Sequence, residues 1–120
     1  MSKKTVVIGA STKPERYAYK ATITLQKHLH EAIPVGIREG EINGTKILLG
    51  KPELKEVDTV TLYVGPQNQA EWYDYIIGLK PKRVIFNPGT ENPEFESLLQ
   101  KNNIEPIEAC TLVLLSIGNY

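Results

Sequence analysis

The sequence predicts a three-layer α/β domain, a mainly parallel five-stranded sheet with helices on both faces. Three observations lead there. Strand-like and helix-like segments alternate from end to end of the 120 residues. The first of them, Lys4–Ile8, is a short β-branched run that stops at Gly9, the pattern of a buried strand followed by a turn. The composition, 41% hydrophobic and 23% charged, is that of one soluble domain over residues 1–120.

Each element has its own justification. Lys4–Ile8 is expected as a central parallel strand. After a polar loop with Pro14, residues Tyr17, Ala21, Leu25 and Leu29 recur near helical spacing with Lys20, Gln26 and Lys27 between them, which describes an amphipathic helix. Ala32–Ile37 is the second strand. Glu39–Leu49 holds Asn43-Gly44 between short extended pieces and predicts a small hairpin excursion. In the third strand, Thr59–Val64, Val60, Leu62 and Val64 alternate with Thr61 and Tyr63, and the run closes at Gly65-Pro66. Gln67–Leu79 follows as a helix bearing Trp72, Tyr75, Ile76 and Leu79. Arg83–Phe86 is the fourth strand, ending in Asn87-Pro88-Gly89, and Pro93 opens a helix that runs to Lys101. Ile104–Ile107 is the fifth strand. Thr111–Ile117 is an apolar segment that either completes the core or meets a second subunit.

Charge and composition exclude several functions. Fourteen Lys plus Arg balance fourteen Asp plus Glu, so no net field draws the chain to nucleic acid or to an anionic membrane. No stretch approaches the roughly 20 apolar residues of a membrane span, and the N-terminus lacks the parts of a secretory signal. The expected compartment is the cytoplasm. Cys110 is the lone cysteine, without an internal disulfide partner.

In parallel sheets ligands sit beyond the carboxyl ends of the strands, where strand order reverses, so the residues just after each strand carry the functional signal. Gly9-Ala10-Ser11 follows the first strand and precedes a helix. Its N–H groups and the Ser11 hydroxyl suit a phosphate, although Gly9 alone also suffices for a strand-to-helix turn. The dinucleotide fingerprint G-x-G-x-x-G is absent. Where that fingerprint needs an acid at the tip of the second strand, Arg38 stands instead, a placement that suits a phosphorylated ribose such as NADP or coenzyme A carries. The plainer account of Arg38 is a solvated charge opposite Glu39 or Glu41. Arg16 and Lys20 have the same two readings.

Val7-Ile8-Gly9-Ala10-Ser11, Pro14 with Arg16, Tyr19 and Lys20, then Ile33-Pro34-Val35, Val57-Asp58-Thr59-Val60, Pro88-Gly89 and Cys110 follow one another in an order and spacing that resembles the CoA-binding domain family. These are small Rossmann-like proteins similar to the N-terminal domain of the succinyl-CoA synthetase α subunit. The resemblance implies that Gly9, Ala10 and Ser11 form the phosphate cradle with Arg16 as a supporting cation. Tyr19 and Lys20 fall on the helix-start pattern. Pro34 and Val35 match the adenine-side wall, and Arg38 sits where the family often has a Lys near the ribose phosphate. Val64, Gly65 and Pro66 match the next wall, and Asn87, Pro88, Gly89 and Thr90 the loop near the pantetheine arm. The implied ligand is coenzyme A or an acyl-CoA. The chain departs from the family pattern at Gly36-Ile37 for Asn-Pro, at Val64-Gly65 for Arg-Pro, and at Glu108-Ala109 for Asp-Arg.

Other residues carry weaker signals. Cys110, followed by Leu112, Val113 and Leu114, is expected to be a buried thiol, the alternative being a mixed disulfide with a CoA thiol. His28 and His30 lie two apart, which does not make a metal pair on one helix face; contact with a helix C-terminus is the better account. Trp72, Tyr73 and Tyr75 lack interleaved cations and are expected to cover the sheet or a subunit contact. Tyr17 and Tyr19 flank the phosphate loop. No nucleophile, base or metal set emerges, so the expected role is non-enzymatic CoA binding. Two alternatives stand beside it, an NAD(P)-binding oxidoreductase or redox sensor and a protein-interaction module with a vestigial nucleotide site.

Overall fold

The computed structural model describes residues 2–120. The elements run β1 (Thr5–Ile8), α1 (Tyr17–Lys27), β2 (Ala32–Gly36), β3 (Glu41–Ile42), β4 (Thr45–Lys46), β5 (Leu48–Leu49), β6 (Thr59–Leu62), α2 (Tyr73–Leu79), β7 (Arg83–Phe86), α3 (Pro93–Lys101), β8 (Glu105–Glu108) and α4 (Thr111–Ser116). All four residues of β1 are fully buried, as an uninterrupted β-branched strand is when both sheet faces are covered. It pairs in parallel with β2 on one side and β6 on the other, in the register Val7 with Pro34 and with Thr61.

The sheet order is β5-β2-β1-β6-β7-β8 and every pair in it is parallel, the Rossmann-like arrangement. It has six strands rather than the five expected. The added strand is β5, two residues that pair with Val35 and Gly36 just after the hairpin. A two-residue strand has no periodicity of its own, so only its partner reveals it. The hairpin of β3 and β4 turns at Asn43 (φ 49°) and Gly44 (φ 83°), the pair of positive angles that a tight turn built on Asn-Gly adopts.

Helices cover both faces. On one, Val7 packs with Ala18 and Leu25 of α1 and Leu115 of α4. On the other, Ile8, Leu62 and Phe86 pack with Ile76 of α2 and Phe95 and Leu99 of α3. Tyr73 stacks on Phe95 at 4.3 Å, and Phe86 meets the same ring edge-on at 5.7 Å. Trp72 is buried with this second cluster, and Tyr75 lies edge-on to it, so the aromatic residues cover the sheet.

Helix ends account for two departures from the sequence reading. Leu29 does not continue the α1 stripe: it has φ 65° and is 83% exposed. The Leu29 N–H bonds to Gln26 and the His30 N–H to Leu25, a closing motif that places Leu29 in the left-handed position outside the helix. Gln67–Leu79 is not one helix either. Two 3-10 turns, Pro66–Asn68 and Ala70–Trp72, precede α2, and between them Gln69 turns its side chain into the interior. The C-terminal apolar segment forms α4, with Thr111 and Leu115 buried and Val113 and Ile117 exposed. At the amino-terminal ends of β1 and β7, the Tyr120 ring lies 4.4 Å from the Arg83 guanidinium and 4.9 Å from the His30 ring. Among the described residues no helix is long and apolar enough to cross a membrane.

Candidate functional site

The chain leaves β1 for β2 on one side and returns at β6 on the other, so strand order reverses between β1 and β6. Two glycines let the loops converge there. Gly9 has φ 95°, and a Cβ on it would lie 2.9 Å from the Tyr63 carbonyl oxygen; a Cβ on Gly36 would lie 2.6 Å from the carbonyl oxygen of Ala10. Both distances are closer than side-chain carbons approach, so the loops after β1, β2 and β6 meet only because these positions are bare.

The first loop is already half committed. The N–H groups of Gly9 and Ala10 both donate to the Val35 carbonyl, at 3.0 and 2.9 Å, and extend the sheet rather than facing a ligand. The Ser11 and Thr12 amides have no protein acceptor among the described residues, which makes them the loop's available donors. The Ser11 hydroxyl accepts from the Lys13 N–H at 3.1 Å. Arg16, the residue before α1, is exposed, as are Lys20 and Arg38; the Lys20 ammonium lies 5.2 Å from the centre of the exposed Tyr17 ring. Tyr19 is half-buried.

The loops after β6 and β7 are joined by buried polar side chains. Asn87 donates to the Thr61 hydroxyl (2.6 Å) and the Leu62 carbonyl (2.8 Å), and its Oδ1 accepts from the Thr111 N–H at 2.9 Å. The Thr61 and Thr111 hydroxyls bond each other at 2.7 Å. The backbone N–H and hydroxyl of Thr90 donate to the Asn87 carbonyl, closing a turn that leaves Pro88 and Gly89 exposed at its tip. The Gly89 N–H donates to the Glu91 carboxylate at 2.9 Å. Val64 and Gly65 are half-buried and Pro66 is exposed. Next to this network the Tyr63 hydroxyl is buried without a hydrogen-bond partner among the described residues, and burial pushes its pKa up to about 12.

The strand-end edge therefore gathers Gly9, Ala10 and Ser11, Arg38, Val64, Gly65 and Pro66, and Pro88 with Gly89. Asn87 and Thr90 lie beneath them as supports. Pro34 and Val35 are placed differently. Both are buried within β2, and Val35 belongs to the core. Pro34 lines a cavity of about 360 Å³ beside Gln26, His30, Thr45 and Lys46, away from the strand ends. Gln69 and Asn92, which also hold the edge together, are not singled out by the sequence: Gln69 sits in the polar run Gln67-Asn68-Gln69, which reads as surface, and Asn92 before Pro93 signals a helix start but not a partner for Gln69.

Cys110 stands between β8 and α4 and is half-buried rather than buried. His28 contacts the Thr24 carbonyl at 2.9 Å near the end of α1, as expected of a helix C-terminus. His30 instead accepts the Lys3 N–H at 2.9 Å through Nδ1, and its pKa is lowered by burial and then by the charge of Lys3. Glu96 has a pKa raised by burial and by Glu108 alongside.

Among solved structures, a crystal structure of an uncharacterised protein shares 54% identity over 100% of this chain and 99% of its own, with a TM-score of 0.98. A protein from Thermus thermophilus (23% identity, 99% of this chain and 91% of that one, TM-score 0.86) has the same fold. So does a hypothetical protein from Pyrococcus horikoshii (26%, 93% and 80%, TM-score 0.84). No curated protein matches. The family model described as the CoA binding domain matches residues 3–116, nearly the whole chain and all of the strand-end loops, and the chain belongs to that family.

Proposed function

We propose that this protein binds coenzyme A or an acyl-CoA at the strand-end edge and carries out no chemistry on it. The observation that supports the reading best is the approach of Gly9 to Tyr63 at the point of strand reversal, in a chain of the CoA binding domain family. The diphosphate lies over the Ser11 and Thr12 amides, with Arg16 and Lys20 as nearby cations. Arg38 neutralises the 3′-phosphate of the ribose. The pantetheine arm runs between the Val64-Gly65 loop and the Pro88-Gly89 turn. Binding rather than turnover suits the placement of the nucleophile and bases. Ser11 accepts from Lys13, and the two histidines lie at the far end of α1. The ligand is a cytoplasmic small molecule, and the nucleotide half of succinyl-CoA synthetase is the functional parallel.

Isothermal titration with CoA tests the reading, with dephospho-CoA, NAD and NADP in the same buffer. Selective binding of CoA is expected. Preference for NAD or NADP, or binding of none of them, overturns it.

A further inference from the structure

We infer that Gln69 is the positioning residue of the cleft, holding the Val64-Gly65 loop and the Pro88-Gly89 turn at the separation that the pantetheine arm occupies; this rests on the CoA reading above.

Gln69 is fully buried, which is unusual for a glutamine and demands that its amide be satisfied. One Nε2 hydrogen goes to the Val64 carbonyl at 2.8 Å and the other to the Thr90 carbonyl at 2.7 Å. These two carbonyls belong to the loops after different strands, β6 and β7. The Oε1 atom accepts from Asn92 Nδ2 at 2.9 Å, and Asn92 donates its second hydrogen to the Tyr73 hydroxyl while its Oδ1 caps α3 at the Phe95 N–H. Both amides thus have both N–H bonds used and an acceptor engaged. Val64 and Thr90 are fixed relative to each other by a single side chain spanning the space below the exposed loop tips.

No other residue type reproduces this. Two carbonyl oxygens require an NH2 group, so a Glu would oppose them with lone pairs; an Asn is one methylene short; a Met keeps the volume and loses all three bonds. The Gln69 side chain lies in the buried layer under the loops and its amide is saturated by the protein, so it acts through the walls and not on the ligand.

The test compares two ligands on each protein. Coenzyme A spans both parts of the edge, whereas adenosine 3′,5′-bisphosphate lacks the pantetheine arm and engages only the β1–β2 side. Gln69→Met is expected to weaken CoA roughly tenfold, the equivalent of one or two lost hydrogen bonds, while the bisphosphate affinity stays within about twofold. Asn92→Ser, which keeps a cap for α3 and removes the donor to Gln69, is the milder companion in case Gln69→Met does not fold. It is expected to show the same arm-specific loss. Equal weakening of both ligands, or no change in CoA binding by a folded variant, overturns the positioning role and leaves the CoA reading standing. Failure of the wild-type protein to bind either ligand removes the CoA reading itself.

Discussion

Gly9 faces the Tyr63 carbonyl so closely that a Cβ added to it would lie 2.9 Å from the oxygen, and this contact joins the first strand's loop to the loop after β6. The two loops border the strand reversal where a nucleotide enters a Rossmann-like sheet. The shape of the site thus depends on an atom that is not there.

Gly9→Ala meets both an unfavourable φ and a backbone oxygen that cannot move without its strand. A loss of about 2–4 kcal/mol in urea unfolding is expected, together with loss of CoA affinity. Gly89→Ala is the control. Its φ is also positive, 93°, but nothing lies within 4 Å of the added carbon, so about 1 kcal/mol is expected. Similar losses in the two variants would mean that the contact with Tyr63 carries no cost.

Arg38 is exposed and just beyond β2, so its removal leaves the fold intact. Arg38→Ala is expected to weaken CoA about tenfold and dephospho-CoA less than twofold, since only CoA carries the ribose phosphate. Titration of both ligands decides it: equal losses would show that Arg38 does not read that phosphate.

Asn87 lies in the strand-end layer with three hydrogen bonds to β6 and α4. Asn87→Ala removes these and strands the Leu62 carbonyl and the Thr111 N–H. A destabilisation of about 2–4 kcal/mol is expected from equilibrium denaturation, larger than that of a surface Asn. A loss below about 0.5 kcal/mol, the level of a surface substitution, would show the network to be dispensable.

His30 provides a pH test. Burial first, then the charge of Lys3, lowers its pKa in the folded protein below 6.5. Between those two values the unfolded chain binds the proton and the folded one does not. Stability from this group is therefore complete above pH 6.5 and is lost as pH falls through the folded pKa. The melting temperature of the wild type is expected to drop more steeply between pH 7 and pH 5 than that of His30→Gln, a range that brackets the ordinary imidazole value of 6.5. NMR titration of His30 should place its midpoint below 6.5. An unshifted midpoint would remove the effect.

Much of the architecture is legible in the sequence because it follows from local pattern. The β-branched run before Gly9, the alternation in Thr59–Leu62 and Pro93 at the start of α3 each report a buried strand or a helix start from neighbouring residues alone. Asn43-Gly44 reports its turn in the same way. The positions of the strand-end loops are legible as well, since each follows a strand. Leu29 shows the limit of periodicity: it fits the helical stripe and is expelled by the way α1 closes.

What the sequence determined by itself was the alternation of the main strands and helices and the positions of the loops that follow the strands, because those depend on residues adjacent in the chain. Only the tertiary structure decided which residues hold those loops together. Pro34 and Val35 share a strand tip in sequence yet are buried in the sheet, β5 exists only by pairing with β2, and Gln69 ties Val64 of its own loop to Thr90 across the β6–β7 crossover. Burial and hydrogen-bond satisfaction are set by partners that lie far away along the chain, and a one-dimensional pattern does not record which partners folding supplies.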